Sequence, residues 1–420
     1  MSPSKKKKFK TEKKIGKNPK TERCDQKPIF IQQRICAFEI KKNSFKKYFS
    51  ELWFGPQLFF CFDIMYTVKP NDNVFIFTDG SNHDDFFTIM MAIKTIKNLK
   101  GIILGGGLFG HPGASLTIYT NLLTMFNRPS VKVYVGNFNS LEDQETNYGD
   151  IFAKQVKPKT LFWIDQLFGA SYLIPNYGPN VVNFDFESDI LATPDPIFFC
   201  LGGATSMINV ADHAKFIYVM GGRFNPQDGS CIEPTSNVKK NPNASSNIYG
   251  DPLAAQKVLE IAGNKTAWLF SNAAQSITVD EETLKKLEDI THEGNEASLE
   301  IITTMYKTMM EVGEAYPASD ASLYVLAFYP ELFQSIVEDA IKIVTGVTLD
   351  IEVDCEERKI KDILTFEMGI GGMELDENGT KTFLVNDPIP DKVLQVFLDV
   401  MALDDCTFSE RCCQCECDCQ

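Results

Sequence analysis

From about residue 72 onward, short unbroken apolar runs alternate with stretches of helical periodicity, and no other feature limits the possible folds so strongly. Val74 to Phe77 reads Val-Phe-Ile-Phe with no polar alternate, as a strand covered on both faces requires. Gly101 to Leu104, Val131 to Val135, Pro196 to Leu201, Phe216 to Met220 and Ala267 to Phe270 are of the same kind. Helices are predicted to begin near Asp84, Pro112, Thr205, Asp251, Asp280, Glu296, Asp320 and Glu331. The succession predicts an α/β fold with a mostly parallel central sheet, helices on both faces, and an active site at the carboxyl ends of the strands. Val347 to Val385 reads as an extended hairpin turning at Glu377-Asn378-Gly379. Ile389 to Leu403 reads as a closing helix with Val393, Val396, Phe397 and Val400 on its core side.

The unusual residues cluster where strands hand over to helices. The first strand runs into Thr78-Asp79-Gly80-Ser81-Asn82-His83-Asp84-Asp85, after which Phe86, Ile89, Met90, Ile93 and Ile96 form an apolar stripe. Asp84 and Asp85 therefore fall at a helix N-terminus, where carboxylates are favoured as caps and by the helix dipole. With Asp79 added, three acids within seven residues repel one another unless a hard cation gathers their oxygens. Gly105-Gly106-Gly107 follows the second strand but lacks the lysine and spacing of a phosphate loop, so its glycines serve tight turns.

Composition narrows the partners. The first 47 residues carry sixteen Lys/Arg against four Asp/Glu, a charge of +12 in a chain of net charge −15, which leaves the rest at −27. So acidic a body argues against nucleic acid as a main partner. Residues 1–65 read as a basic, disordered leader, 72–403 as the folded domain and 404–420 as a Cys-rich tail. The polybasic start lacks the apolar core of a secretory signal, and no membrane span is visible. A cytoplasmic protein is expected, or a nuclear one if the leader is present. The tail's alternate-residue cysteines, Cys413, Cys415, Cys417 and Cys419, lack the two-residue gap of a zinc knuckle and suggest a redox-sensitive segment.

Set in order, these segments resemble the inosine-uridine preferring nucleoside hydrolases. The likeness runs from about Asn73 to Leu403. It rests on Thr78 to Asp85, on Gly202-Gly203-Ala204-Thr205-Ser206, and on Met220-Gly221-Gly222. It also rests on Ser245-Ser246-Asn247 followed by Asp251-Pro252-Leu253-Ala254-Ala255, and on Ser319-Asp320 leading to Pro330-Glu331-Leu332-Phe333. The resemblance implies Ca²⁺-dependent hydrolysis of the N-glycosidic bond of a small-molecule ribonucleoside, giving ribose and free base for salvage, by a homo-oligomer. It further implies a Ca²⁺ shell of Asp79, Asp85, the Leu201 carbonyl and Asp320, with Asp84 and Asn247 on the ribose and Asp79 as the base that deprotonates water.

The match departs from the family in instructive places. Without a gap, the family's first two aspartates fall on Thr78 and Gly80, and a one-residue insertion restores Asp79 as the base. The family's asparagine, ribose-binding glutamate and late histidine become Leu108, Ser245 and Ser319. His83 and His111 lie in strand-end loops, and His111 is the candidate to protonate the departing base. The alternative reading is a catalytically impaired relative that serves as a ligand-binding or interaction module.

Overall fold

In the computed structural model, the described residues are 65–80, 83–105, 112–137, 182–222, 245–278, 280–312, 317–345, 349–354, 359–365 and 372–405. Their strands are β1 (Val74–Thr78), β2 (Leu99–Leu104), β3 (Lys132–Val135), β4 (Val182–Asn183), β5 (Ile197–Cys200), β6 (Phe216–Met220), β7 (Thr266–Leu269), β8 (Phe333–Ile343), β9 (Leu349–Asp354), β10 (Lys359–Thr365), β11 (Met373–Leu375) and β12 (Thr380–Pro388). The main helices are α1 (His83–Thr95), α2 (Pro112–Met125), α3 (Phe186–Leu191), α4 (Pro252–Ala262), α5 (Glu281–Asp289), α6 (Glu296–Val312), α7 (Ser319–Phe328) and α8 (Pro390–Met401).

Ten strands form one sheet in the order β11-β8-β12-β7-β6-β5-β1-β2-β3-β4. From β4 to β12 every neighbouring pair is parallel, and β8 then adds antiparallel to β12. The predicted α/β architecture is present. From β1 the chain steps outward through β2 and β3, then returns to β5 on the other side of β1 and proceeds through β6 to β7. Crossovers in such sheets are right-handed, so reversing the direction of travel sends the connecting helices to opposite faces. It also opens a crevice at the carboxyl ends of β1 and β5.

β1 is buried along its whole length. α1 is buried beyond its predicted stripe: Phe87, Thr88, Met91, Ala92 and Lys94 are covered as well, because α6, α7 and α8 all pack against it. Packing also extends ahead of residue 72, since Met65 and Val68 belong to the core. At the other end, the buried Lys94 pairs with Asp405 at 2.9 Å and donates to the Leu403 carbonyl at 2.8 Å, so the body reaches at least that far. The remainder of the leader and tail lies outside the described residues.

Three expectations fail. The helix expected near Glu331 is a single turn, Pro330–Leu332, before β8; its register with β12 runs from Phe333↔Pro388 to Ile341↔Thr380. That long-range ladder outweighs local propensity. The extended hairpin is instead three pieces. β9 and β10 pair with each other, while β11 and β12 flank β8 rather than meeting directly. The Asp376 to Gly379 turn is real, with Gly379 N–H donating to the Asp376 carbonyl at 2.7 Å. A Cβ on Gly379 would stand 2.5 Å from the Ile341 carbonyl oxygen, so only glycine fits that turn. The helix expected from Thr205 is likewise one 3₁₀ turn, Ala204–Met207.

Candidate functional site

The crevice between β1 and β5 is where the sequence put its acids. β1 ends at Thr78, Asp79 follows, and Gly80 turns the backbone with φ +88°, a conformation that favours glycine. α1 then opens with His83, Asp84 and Asp85, both aspartates buried. Opposite, Gly202 lies so close that a Cβ there would be 2.7 Å from the Asp79 nitrogen. From 235 residues further along than Asp85, the first turn of α7 brings Asp320. Two helix N-termini therefore face one pocket of carboxylates, and their dipoles favour negative charge there.

One oxygen from each of Asp84, Asp85 and Asp320 falls within 4.8 Å of the others. Asp79 is 3% exposed, and its charge acts on all three. Thr78 Oγ1 donates to Asp85 Oδ1. Asp320 Oδ1 is fully buried and, among the described residues, accepts no hydrogen bond. Burial, followed by the Asp79 charge, pushes the Asp84 carboxyl up to about 7. Asp85 and Asp320 are driven well above the ordinary carboxylate range, again by burial first and by their sister aspartates second. Among the described residues, every charged neighbour acting on these three is another aspartate of the group. Three buried acids whose proton affinity is raised by one another and by Asp79, one of them with an open oxygen, suit a hard, oxygen-preferring cation.

The wall of the crevice is built by Asn247, in the one-turn helix Ser246–Tyr249. Its Nδ2 donates to the Leu201 carbonyl at 2.5 Å and to the Met220 carbonyl at 3.0 Å, tying the ends of β5 and β6 together. Both amide protons are thereby used, which leaves Oδ1 as the atom available to a ligand hydroxyl. Ser245 is committed too, its Oγ accepting from Gly222 N–H at 2.9 Å. Asp251 caps α4 through the Ala254 N–H and holds Thr205 Oγ1 at 2.6 Å, a structural duty. Cys200, beside the acids, has its thiol raised by burial and donates to the Gly202 carbonyl, so it is no nucleophile.

Of the predicted site residues, Asp79, Asp84, Asp85, Leu201, Asn247 and Asp320 converge on this crevice, and Asp84 joins the tight triad that the sequence had reserved for other acids. His111 and Leu108 lie outside the described residues. His83 opens α1 with its ring edge-on to Phe87 at 6.0 Å. Reading the sequence gave no role to the hydroxyl of Thr78 or to Tyr119 of α2, whose buried phenol lies in the field of Asp85, Asp79 and Asp320. A tyrosine inside an apolar helix carries no local signal of such a position.

Residues 74–367 match the profile of the inosine-uridine preferring nucleoside hydrolases. Among solved structures, the fold is shared with an inosine-guanosine nucleoside hydrolase at 15% identity and a TM-score of 0.57, the match covering 79% of this chain and 99% of the other. A plant nucleoside hydrolase gives 16% and 0.56 over the same shares. The inosine-uridine preferring nucleoside hydrolase of Bacillus anthracis gives 12% and 0.55, also with 79% and 99% covered. No curated protein matches this sequence.

Proposed function

Because the chain belongs to the inosine-uridine preferring nucleoside hydrolase family, we propose that it cleaves the N-glycosidic bond of ribonucleosides to ribose and free base, with Ca²⁺ as its cofactor. The observation that carries this reading is the crevice in which Asp79, Asp84, Asp85 and Asp320 are buried together and, among the described residues, the charges acting on Asp84, Asp85 and Asp320 are those of the group itself. Asp84, Asp85 and Asp320 hold the ion, with the Leu201 carbonyl beside them. That carbonyl accepts from Asn247 and keeps a second lone pair. Ca²⁺, when bound, supplies the positive charge that lowers the pKa of water and favours the sugar's hydroxyl oxygens.

Asp79 accepts the proton of the attacking water on its carboxylate. Asp84 and the Oδ1 of Asn247 orient ribose through its hydroxyl protons. Loss of the base passes through an oxocarbenium-like state, and His111 donates the proton that lets the base depart. We further assign the protein to the cytoplasm, to nucleobase salvage and to a homo-oligomeric state. Among the described residues, no helix is long and apolar enough to cross a membrane.

The test is release of reducing sugar from a panel of purine and pyrimidine ribosides, with Ca²⁺ and with chelator, repeated for Asp85→Ala and His111→Ala. Activity that requires Ca²⁺ and vanishes in Asp85→Ala supports the reading, and an unchanged rate in His111→Ala removes that residue from it. A second reading, a relative that binds ribosides without cleaving them, is favoured by Ser245, a hydroxyl that accepts from Gly222 N–H where the family has a ribose-binding carboxylate. It is distinguished by Ca²⁺-dependent thermal stabilisation by ribose in a protein that turns over none of the panel.

A further inference from the structure

The acid cluster has a neighbour that the proposed reaction leaves unused. Tyr119 lies near the middle of α2, 1% exposed, with its ring in the hydrophobic core and its hydroxyl beside Thr78. α2 is docked directly on the β1–α1 turn: a Cβ on Gly80 would lie 2.7 Å from Ser115 Oγ, and Ser115, one helical turn before Tyr119, shares its face. The Tyr119 hydroxyl is fully buried, and the structure closes no hydrogen bond from it to a described residue. A phenylalanine would fill the same volume without carrying a polar atom into the core, so the hydroxyl needs a reason to be there.

Charge fixes the direction in which this hydroxyl can act. Burial, then the Asp85 charge, holds the phenol's pKa well above its ordinary value, so it stays protonated and serves as a donor. Thr78 Oγ1 spends its only proton on Asp85 Oδ1 and keeps its lone pairs open. We propose that Tyr119 is a positioning residue: in the cation-loaded protein its O–H donates to Thr78 Oγ1, which donates to Asp85 Oδ1. This two-hydroxyl relay fixes the Asp85 carboxylate with Oδ2 presented to the cation shared with Asp84 and Asp320. The inference rests on the cluster being a cation site. It adds a polar support from α2 to a site whose acids come from the β1–α1 junction and α7. Hydrogen bonds that orient a ligating carboxylate typically govern affinity by about 10- to 100-fold.

The experiment is calorimetric titration of the full chain with Ca²⁺, for wild type, Tyr119→Phe, Thr78→Val, the double variant and Thr78→Ser. The melting temperature in chelator reports whether each variant is folded. Tyr119→Phe and Thr78→Val are each expected to weaken Ca²⁺ binding by about 10-fold. The double variant should bind no more weakly than Thr78→Val alone, because the two hydroxyls act in series. Thr78→Ser, which keeps the hydroxyl, should retain most of the affinity, a rescue that simple packing does not predict. Binding by Tyr119→Phe within twofold of wild type, or multiplicative losses in the double variant, overturns the relay while leaving the cation site standing. A wild-type protein that binds no Ca²⁺ at millimolar concentration overturns both.

Discussion

The two halves of the crevice are built in opposite ways. On the β1 side, Asp79, Asp84, Asp85 and Asp320 are buried together, and their charges raise the proton affinity of Asp84, Asp85 and Asp320. On the β5–β6 side, the polar side chains are tied into the scaffold: Asn247 bridges the Leu201 and Met220 carbonyls and keeps Oδ1 for a ligand, Ser245 accepts from Gly222, and Asp251 caps α4 and holds Thr205. One half stores electrostatic tension that a ligand must relieve, and the other is a finished scaffold. A functional centre differs from a structural polar network in that respect. The network closes on itself, whereas the centre is left open toward something not made of protein.

The largest effect that can break this comparison comes from the acid half. Asp85→Ala is expected to remove Ca²⁺ binding and to lower riboside hydrolysis by at least about 10³-fold, roughly 4 kcal/mol of barrier. The same substitution should raise the melting temperature in chelator, because one of four mutually repelling buried acids is gone. A fall instead would mean that the cluster is not under tension. Asp79→Asn separates base from ligand: kcat should drop about 10²- to 10⁴-fold while calorimetric Ca²⁺ affinity stays within about 10-fold of wild type. Equal losses in both would make Asp79 an ion ligand first.

A smaller effect lies in the pH dependence. The folded-state pKa of Asp84 is raised to about 7, above the usual carboxylate value of about 4. Between those values the folded protein binds more protons than the unfolded chain, so stability falls as pH rises through the window. Melting temperatures in chelator should therefore decline from pH 4.5 to about 7, and Ca²⁺ should reverse the trend, since ion binding displaces protons. A curve that rises with pH in chelator contradicts the arrangement. The smallest effect belongs to the finished half. Ser245→Ala leaves the Gly222 N–H without its acceptor and should lower stability by about 1 kcal/mol in denaturant titration, with KM for ribosides unchanged. A tenfold rise in KM would instead put Ser245 on the sugar.

Much of the fold was legible because β1, β5, β6 and β7 are buried on both faces and so read as unbroken apolar runs. β8 was not. Of its residues Phe333 to Ile343 only Phe333, Ile336, Ile341 and Ile343 are buried, and its ladders come from β11 and β12, both much later in the chain. α1 was legible as a helix, yet the sequence understated its burial. Coverage by α6, α7 and α8 is a fact of assembly that periodicity cannot carry.

Within the site, Asp79, Asp84 and Asp85 announce themselves because like charges crowded at a strand end are locally improbable without a cation. The chain alone thus determined a parallel sheet and one acidic strand-end motif, since both are written in contiguous residues. Three matters were left to the tertiary structure: bringing Asp320 into the same pocket, enlisting Asn247 to tie two strand ends, and setting Tyr119 behind Thr78. Those contacts join residues tens to hundreds of positions apart. Their energies depend on burial and on distances of a few ångströms, quantities that exist only once the chain has folded.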